Sequence, residues 1–396
     1  MKRLIKKSQF DNINALRFLA VLIIFLSHSF ITTDPQIQVS SLYLDLRQFT
    51  ANLNVAAYSL LFILTGFLNT WTIFEERFIY KKMNVLRFYM RRILGILPLY
   101  LLIFIIGYYI APRVPVGLHS ENLHAISAFD YLTFTFNFRY EDTWNPLTNI
   151  MGNMWSIAAT FHFILAWPLL MEYFRRNEGA FFIIALLAFG VSAWFWSGNA
   201  SFRYNTLNIL CDFVVGAYIA YISFFKYAMY SRLRSSTRRT IGFIYLAFFV
   251  FIVFRKTILF EAAKEVPAQI LFIAERLVIS GVLAFFVFEQ NFSSNSVFKL
   301  AKLRIFNFPG TISYGFYAYS AIGSIIGFQA MLFIVGEQSM AAIFILEPAV
   351  GLAATFALAW FSYEYFEKKF LRRRKNYNPT REYNPAEVAN VNKKPA

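Results

Sequence analysis

The chain has 396 residues, of which 58% are hydrophobic and only 15% are charged, and its mean hydropathy is +0.48. Soluble proteins carry about 25% charged residues, so the composition excludes an ordinary soluble enzyme and predicts an all-α protein that crosses a membrane many times. The formal charge of +16 falls in short segments between apolar runs, which indicates membrane orientation rather than nucleic-acid binding, and a single cysteine excludes an internal disulfide.

The first predicted element is a membrane-spanning helix at about residues 13–33. Arg17 and His28 interrupt this apolar run, and their spacing places them on one helix face, about 16 Å apart along the axis. Asn14 precedes Arg17 by roughly one turn on the same face. Because ionisable residues inside a membrane are costly, we expect Arg17 near one surface to hold an anion and His28 near mid-depth to transfer a proton.

Each of the two residues also has a purely structural explanation. Arg17 lies near a helix end, where a long side chain can extend to the lipid headgroups. His28 can be a buried histidine that is hydrogen-bonded to a neighbouring helix. The two residues together on one face favour a functional site more than either residue does alone.

Nine further apolar runs follow, so the expected fold is a bundle of about ten transmembrane helices. These runs lie at about 52–73, 93–111, 153–173, 179–197, 205–225, 240–259, 266–288, 311–335 and 339–362. Of the 38 lysines and arginines, 29 fall in segments that ten spans place on the same side of the membrane as the two termini, and 7 fall in segments on the opposite side. Because basic residues accumulate in cytoplasmic loops, this distribution predicts cytoplasmic termini. We expect one transmembrane domain, 1–375, a surface helix at about 295–305, and a disordered cytoplasmic tail, 376–396.

Two other groups of ionisable residues lie outside the first helix. Glu275 and Arg276 are adjacent in the eighth predicted span and point about 100° apart, so each needs a partner on another helix. They form a structural ion pair or a polar acceptor site, and a transport pathway through them is a further alternative. His119 and His124, in the long segment at 112–152, have no carboxylate or cysteine at a ligand spacing, so no metal site is expected.

Six short motifs occur along the chain, mostly near the ends of predicted spans. They are Arg-X10-His from Arg17 to His28, LLFILTGFL at 60–68, FYMRRILGILPLY at 88–100, MWSIAATFHFILAWPLL at 154–170, ISYGFYAYS at 312–320 and SYEYFEKKF at 362–370. In this order, and at these membrane depths, they resemble the motifs of the bacterial membrane-bound acyltransferase family 3. The resemblance extends over about residues 10–375 of the chain.

The resemblance implies an integral O-acyltransferase of the bacterial inner, or cytoplasmic, membrane. The implied donor is cytoplasmic acetyl-CoA or another acyl-CoA, and the implied acceptor is a hydroxyl of a surface or secreted polysaccharide or of a glycolipid. Arg17 and His28 would be catalytic, Arg17, Arg91 and Arg92 would bind the donor, and no metal would be needed. The implied partners are membrane lipids and other glycan-assembly proteins. The residues expected in the substrate pocket are Asn14, Trp155, Ser156, Thr160, His162, Tyr314 and Tyr317.

Four positions depart from the family pattern. Gly95 stands where the family commonly has the second arginine of Arg-x-x-Arg, and Thr160 replaces a glutamate. Ser320 replaces a histidine, and Lys369 replaces a proline. A non-catalytic family member that transports or scaffolds a glycan-pathway substrate is therefore the alternative to an active acyltransferase.

Overall fold

The computed structural model describes residues 10–113, 126–139, 150–175, 177–255, 257–261 and 265–377. No strand occurs in these ranges, and ten apolar helices form one bundle, so the predicted all-α fold is confirmed. The ten helices are α1 (Asp11–His28), α2 (Ser41–Tyr80), α3 (Val85–Phe104), α4 (Trp155–Tyr173), α5 (Glu178–Trp196), α6 (Thr206–Phe225), α7 (Arg238–Val253), α8 (Ala268–Phe292), α9 (Ser313–Val335) and α10 (Glu347–Ser362).

Most of these helices are long and apolar enough to cross a membrane. In the described part of the chain eight helices meet that condition, and a ninth span results if α7 is joined to the short helix Tyr227–Arg234, from which it is bent by 85°. α1 is apolar but shorter than the other spans. The chain is thus a multi-pass membrane protein, while the cytoplasmic position of its termini stays a prediction. The segment with His119 and His124, and the predicted tail after Tyr377, lie outside the described residues.

Two helices continue beyond their regular parts. α3 extends through a π-helical turn, Ile105–Ile110, to Arg113. α10 extends through another π-helical turn, Tyr363–Glu367, into a helix at Lys368–Arg374, which we call the C-terminal helix. This helix packs against α3, so residues 368–374 return to the bundle after α10.

α1 ends at His28, whereas the sequence predicts a helix that continues to residue 33. The helix stops because Phe30 has a left-handed backbone with φ of 63°, and because its N–H donates to Glu347 Oε2 at 2.7 Å instead of to a carbonyl of the preceding turn. The predicted continuation is wrong, and His28 is the last residue of the helix rather than a residue in its interior.

α2 is longer than its predicted span. It begins at Ser41, where the hydroxyl of Ser40 accepts the Tyr43 N–H at 3.4 Å, and it has 40 residues. At 1.5 Å per residue such a helix is about 60 Å long, so it extends well beyond a bilayer core of about 30 Å. The surface helix predicted at 295–305 is also displaced, because the structure has this helix at Arg304–Thr311.

Small residues allow the central helices to approach closely. A Cβ atom at Gly66 of α2 would overlap the Phe213 carbonyl of α6, and a Cβ atom at Gly216 of α6 would overlap the Ile63 carbonyl of α2. Contacts of this kind replace the hydrophobic effect as the force that holds helices together in lipid.

The charged residues in the eighth predicted span each have a partner on another element. Arg276 Nη2 lies 2.5 Å from Asp212 Oδ2 of α6, and its Nη1 donates to Ser59 Oγ of α2 at 3.3 Å. Glu275 is instead paired with Arg255 at 3.1 Å. The two residues therefore belong to separate ion pairs, as their angular separation on the helix requires.

One end of the bundle carries the loops after α2, α4 and α6, and we call it the basic end. Contacts show that the ends of these helices lie together. The rings of Phe74 on α2 and Phe225 on α6 have centres 5.0 Å apart. Arg77 pairs with Glu172 at 2.9 Å and with Glu178 at 2.7 Å, and Arg175 Nη2 donates to the Lys81 carbonyl at 2.6 Å.

Candidate functional site

A cavity of about 290 Å³ lies between α1, α2, α3, α4 and α9, in the half of the bundle toward the basic end. The C-terminal helix closes one of its sides. Most of the residues that the sequence motifs indicate lie on its wall. They are Asn14, Arg17, Arg91, Arg92, Ser156, Thr160, Tyr314 and Tyr317.

α1 contributes Asn14 and Arg17 to the wall. The start of this helix packs against Gly310 of the short helix Arg304–Thr311, where a Cβ atom would overlap the Asn14 carbonyl. Among the described residues, no carboxylate lies within ion-pair distance of Arg17. Within the described residues its charge is therefore not neutralised by a direct ion pair.

α3 contributes two consecutive arginines with different surroundings. Arg91 pairs with Glu76 at 3.3 Å, and its Nη1 donates to the Tyr377 carbonyl at 3.0 Å. The guanidinium of Arg92 lies 5.4 Å from the centre of the Phe88 ring. Among the described residues the Nε atoms of both arginines are buried without a hydrogen-bond partner, but only Arg91 forms an ion pair with a carboxylate. The charge of Arg92 is therefore the one that a ligand can pair with, while Arg91 joins α3 to Glu76 and to the backbone at Tyr377.

Another part of the wall carries a network of hydroxyl groups. Tyr317 Oη donates to the Asn153 carbonyl at 2.5 Å and lies 2.6 Å from Ser156 Oγ. Asn153 Nδ2 donates to Ser320 Oγ at 3.0 Å. Ser320 thus takes part in the network that positions Tyr317, and a histidine at this position would have to displace Asn153.

Tyr314 and Thr160 lie on the wall between these two groups of residues. Tyr314 Oη donates to the Ile96 carbonyl of α3 at 2.9 Å, which ties α9 to α3 beside the arginines. Thr160 stands where the similar motif has a glutamate. A carboxylate is nevertheless present on the wall, because Glu367 lies there and accepts a hydrogen bond from Ser362 Oγ at 3.1 Å.

Trp155 and His162 do not line the cavity. Trp155 packs against Tyr58, with ring centres 4.8 Å apart, and His162 Nδ1 lies 2.8 Å from Thr206 Oγ1. Both differ by 100° or more in direction from Ser156 and Thr160, which are about one turn apart on α4 and face the cavity.

His28 also lies outside the cavity wall, which reaches only to Val21 on α1. The turn after His28 is held by three side chains. Arg47 Nη1 donates to the Ser27 carbonyl at 3.1 Å and to the Ser29 carbonyl at 3.2 Å. Glu347 Oε2 accepts the Phe30 N–H at 2.7 Å, and Tyr43 Oη donates to the Phe30 carbonyl at 3.1 Å. We call these three residues, Arg47, Glu347 and Tyr43, the α1 clamp.

A wider hollow of about 710 Å³ lies beside the cavity at the basic end, and Asn14 lines both. Its wall is polar and basic, with Arg234 and Lys302 among its residues. Lys299, also on the wall, donates from Nζ to the Glu289 carbonyl at 2.6 Å and to the Gln290 carbonyl at 2.7 Å. The hollow and the cavity together offer an elongated, positively charged space.

The expected site residues leave out four polar residues of this site, of which Glu367 lies within the sixth motif and the other three lie outside the motifs: Asn69, Asn153, Glu367 and Arg374. A signal for Arg374 is present in the sequence. Three consecutive arginines, 372–374, on a helix point about 100° apart, so they cannot all face the same way and one of them can turn toward the bundle.

In the described part of the chain, no three His, Cys, Asp or Glu side chains are grouped closely enough to hold a metal ion. Among families of known proteins, a family model described as "Acyltransferase domain" matches residues 10–364, which include α1 to α10. No curated protein and no solved structure matches the chain.

Proposed function

The chain belongs to acyltransferase family 3, and from this membership we propose that it moves an acyl group from cytoplasmic acyl-CoA to a hydroxyl of a surface or secreted polysaccharide. As a multi-pass membrane acyltransferase it needs a site for an anionic donor. We propose acetyl-CoA as the donor, and a polysaccharide or glycolipid as the acceptor.

The observation that carries this proposal is the set of arginines on the cavity wall. Acyl-CoA has phosphate groups at one end and the reactive thioester at the other. Arg17 and Arg92 present guanidinium groups that form no ion pair with a carboxylate of the described residues, and guanidinium binds phosphate through paired, charge-assisted hydrogen bonds. The adjoining basic hollow supports the proposal, because the nucleotide part of the donor needs space outside the narrow cavity.

In the proposed reaction, His28 acts as the base. Its imidazole takes the proton of the acceptor hydroxyl while the hydroxyl oxygen attacks the thioester carbonyl. The tetrahedral intermediate then collapses, the carbon–sulfur bond breaks, and the leaving thiolate receives the proton from the imidazolium. The products are the ester and CoA. The alternative in which His28 itself carries the acyl group needs the same position for the histidine.

We further propose that the basic end faces the cytoplasm and that the membrane is the bacterial inner membrane. The distribution of lysine and arginine supports this orientation, because basic residues accumulate in cytoplasmic loops. The donor would then enter from the cytoplasm, and the acceptor would approach from the opposite side, where other glycan-assembly proteins would deliver it.

The experiment measures donor binding and acyl transfer with the purified protein in lipid nanodiscs. We expect Arg17→Gln to weaken acetyl-CoA binding by about 10- to 100-fold, since a hydrogen bond to a charged group is worth about 1.5–3 kcal/mol. Arg87→Gln is the matched control, because Arg87 is exposed on α3 and does not line the cavity. An equal affinity of the Arg17 variant and the wild type would contradict the assignment of this site.

Transfer is measured as acetylation of the cell-surface glycan by mass spectrometry. His28→Ala should keep donor binding and reduce acetylation by at least about 100-fold, the effect of losing a positioned base. Normal acetylation by this variant would show that His28 is not the base. Donor binding without transfer by the wild type would instead support the alternative, a non-catalytic member, which the replacement of glutamate by Thr160 on the wall favours.

A further inference from the structure

The C-terminal helix brings a further arginine into the cavity. Arg374 is the last residue of this helix, and it lines the cavity together with Arg17 and Arg92. Its charge acts directly on the charges of both. Arg374 follows the last residue of the family match, residue 364, so membership of the family does not assign a role to it.

The guanidinium of Arg374 occupies the space beside Gly95 on α3. A Cβ atom at Gly95 would lie 3.2 Å from Arg374 Nη1 and 3.6 Å from its Cδ. A glycine inside a helix weakens that helix, and the α3 backbone at this residue has no conformation that requires glycine. The Arg374 guanidinium thus occupies the space that a side chain at this position of α3 would take.

The segment that carries Arg374 is fixed at the cavity by Arg91. The Arg91 guanidinium donates to the Tyr377 carbonyl at 3.0 Å and is itself held by Glu76 at 3.3 Å. Arg374 is thus positioned from both sides, by the packing of its own helix on α3 and by the turn that follows it.

The cavity wall carries an excess of positive charge. Arg17, Arg92 and Arg374 repel one another, and no carboxylate in the described residues lies within ion-pair distance of any of the three. Glu367 is the only carboxylate among the described residues that line the cavity. Arg17 and Arg92 are half-buried and Arg374 is exposed, so an anion bound between the three guanidinium groups would relieve their repulsion.

We propose that Arg374 is a phosphate-binding residue of the donor site, which completes with Arg17 and Arg92 a three-arginine cradle for the phosphate groups of acyl-CoA. This inference rests on the proposed function, since it takes the donor from there. It assigns to the C-terminal helix a direct contact with the substrate, in a part of the chain that the family match does not include.

The test measures CoA affinity by calorimetry in nanodiscs of neutral phosphatidylcholine. Arg374→Gln should weaken the affinity for CoA by about 10- to 100-fold, as expected for the loss of charge-assisted bonds to phosphate. Arg373→Gln is the matched control, because Arg373 is exposed on the same helix and does not line the cavity, and it should bind as the wild type does.

A double variant separates binding from folding. In Gly95→Arg with Arg374→Ala the guanidinium returns to the same space from α3, so the affinity lost in Arg374→Ala should be recovered. Gly95→Arg alone should not gain affinity, because its Cβ meets the Arg374 guanidinium. Recovery of CoA affinity in the double variant excludes misfolding as the reason for the loss in Arg374→Ala. If affinity is not recovered, a guanidinium in the space beside residue 95 is not what binds CoA, and the inference is contradicted.

The outcomes also distinguish this inference from the proposed function. If the wild type does not bind CoA at all, the proposed function fails. If Arg17→Gln weakens binding and Arg374→Gln does not, the donor site stands and the inference is overturned.

The phosphate group of an anionic lipid is the other ligand that three arginines could hold. Repeating the measurement in nanodiscs that contain anionic lipid tests this source of phosphate. If Arg374→Gln affects binding of that lipid and not of CoA, the cradle holds a lipid headgroup and the inference is likewise overturned.

Discussion

Arg91 and Arg92 are neighbours on α3, but their electrostatic environments are opposite. Arg91 is buried and neutralised by Glu76, and its guanidinium holds the backbone at Tyr377. Arg92 lines the cavity and, among the described residues, has no ion pair with a carboxylate. The first arginine therefore stabilises the fold, whereas the second costs stability until an anion binds.

This difference predicts opposite effects of two leucine variants on the stability of the protein without ligand. Arg92→Leu should raise the free energy of unfolding by about 1–4 kcal/mol, because it removes an uncompensated charge from a desolvated site. Arg91→Leu should lower it by about 3–5 kcal/mol, because it leaves the carboxylate of Glu76 buried without a partner.

The measurement is thermal unfolding in detergent, with and without acetyl-CoA. The donor should stabilise the wild type and lose most of this effect on Arg92→Leu. Destabilisation by both variants to the same extent would show that Arg92 has a structural partner and is not a free ligand-binding group.

At the level of residues, the sequence predicts the wall of the cavity better than the rest of the site. Arg17, Ser156 and Tyr317 could be placed because they lie in motifs that resemble those of a known family. Trp155 is expected in the pocket with Ser156, but it points about 100° away on α4 and does not line the cavity. The arginine run at 372–374 indicates that one arginine can turn toward the bundle, but no motif tells which one, or that it lies beside a glycine of α3.

The end of α1 is the element whose geometry matters most for the proposed chemistry. His28 is the last helical residue, and the backbone turns sharply at Phe30. A positive φ at a phenylalanine is unfavourable, so the surrounding contacts must hold it in place. The α1 clamp provides these contacts from α2 and from the start of α10.

The clamp predicts that Glu347 acts on transfer and not on donor binding. Glu347→Ala removes the acceptor of the Phe30 N–H, so it should lower kcat by about 10-fold or more through a displaced His28. Acetyl-CoA affinity should be unchanged, because Glu347 does not line the cavity. Glu347→Gln keeps an oxygen that can accept this hydrogen bond and should retain most of the activity.

Steady-state kinetics and calorimetry on the same preparations separate the two effects. Glu337→Ala is the control, because Glu337 is exposed in the loop before α10. A parallel loss of donor affinity and kcat in Glu347→Ala would mean that the clamp supports the whole bundle rather than the position of His28.

The elements themselves were predicted well where apolar runs are long and bounded by charge. α4, α5, α6 and α9 lie close to their predicted ranges. The end of α1 and the start of α2 were not predicted, because they depend on hydroxyl groups that bond to the helix backbone and on side chains distant in the sequence. Such tertiary contacts have no periodic signal in the sequence.

For the whole molecule, the arrangement separates the donor site from the proposed base. The cavity reaches Val21, and His28 lies seven residues further along α1, which is about 10 Å. With the phosphates at the basic end, the donor has to extend its pantetheine arm along α1 toward His28. The bundle would thus bring reactants from opposite sides of the membrane to the outer end of one helix.

The most direct test of this arrangement is the structure of the protein in nanodiscs with acetyl-CoA bound, determined by electron cryomicroscopy. We expect density for the phosphate groups against Arg17, Arg92 and Arg374, and density for the pantetheine arm that continues past Val21 toward His28. Donor density elsewhere on the protein, with the three arginines unoccupied, would contradict both the donor site and the route of the acyl group.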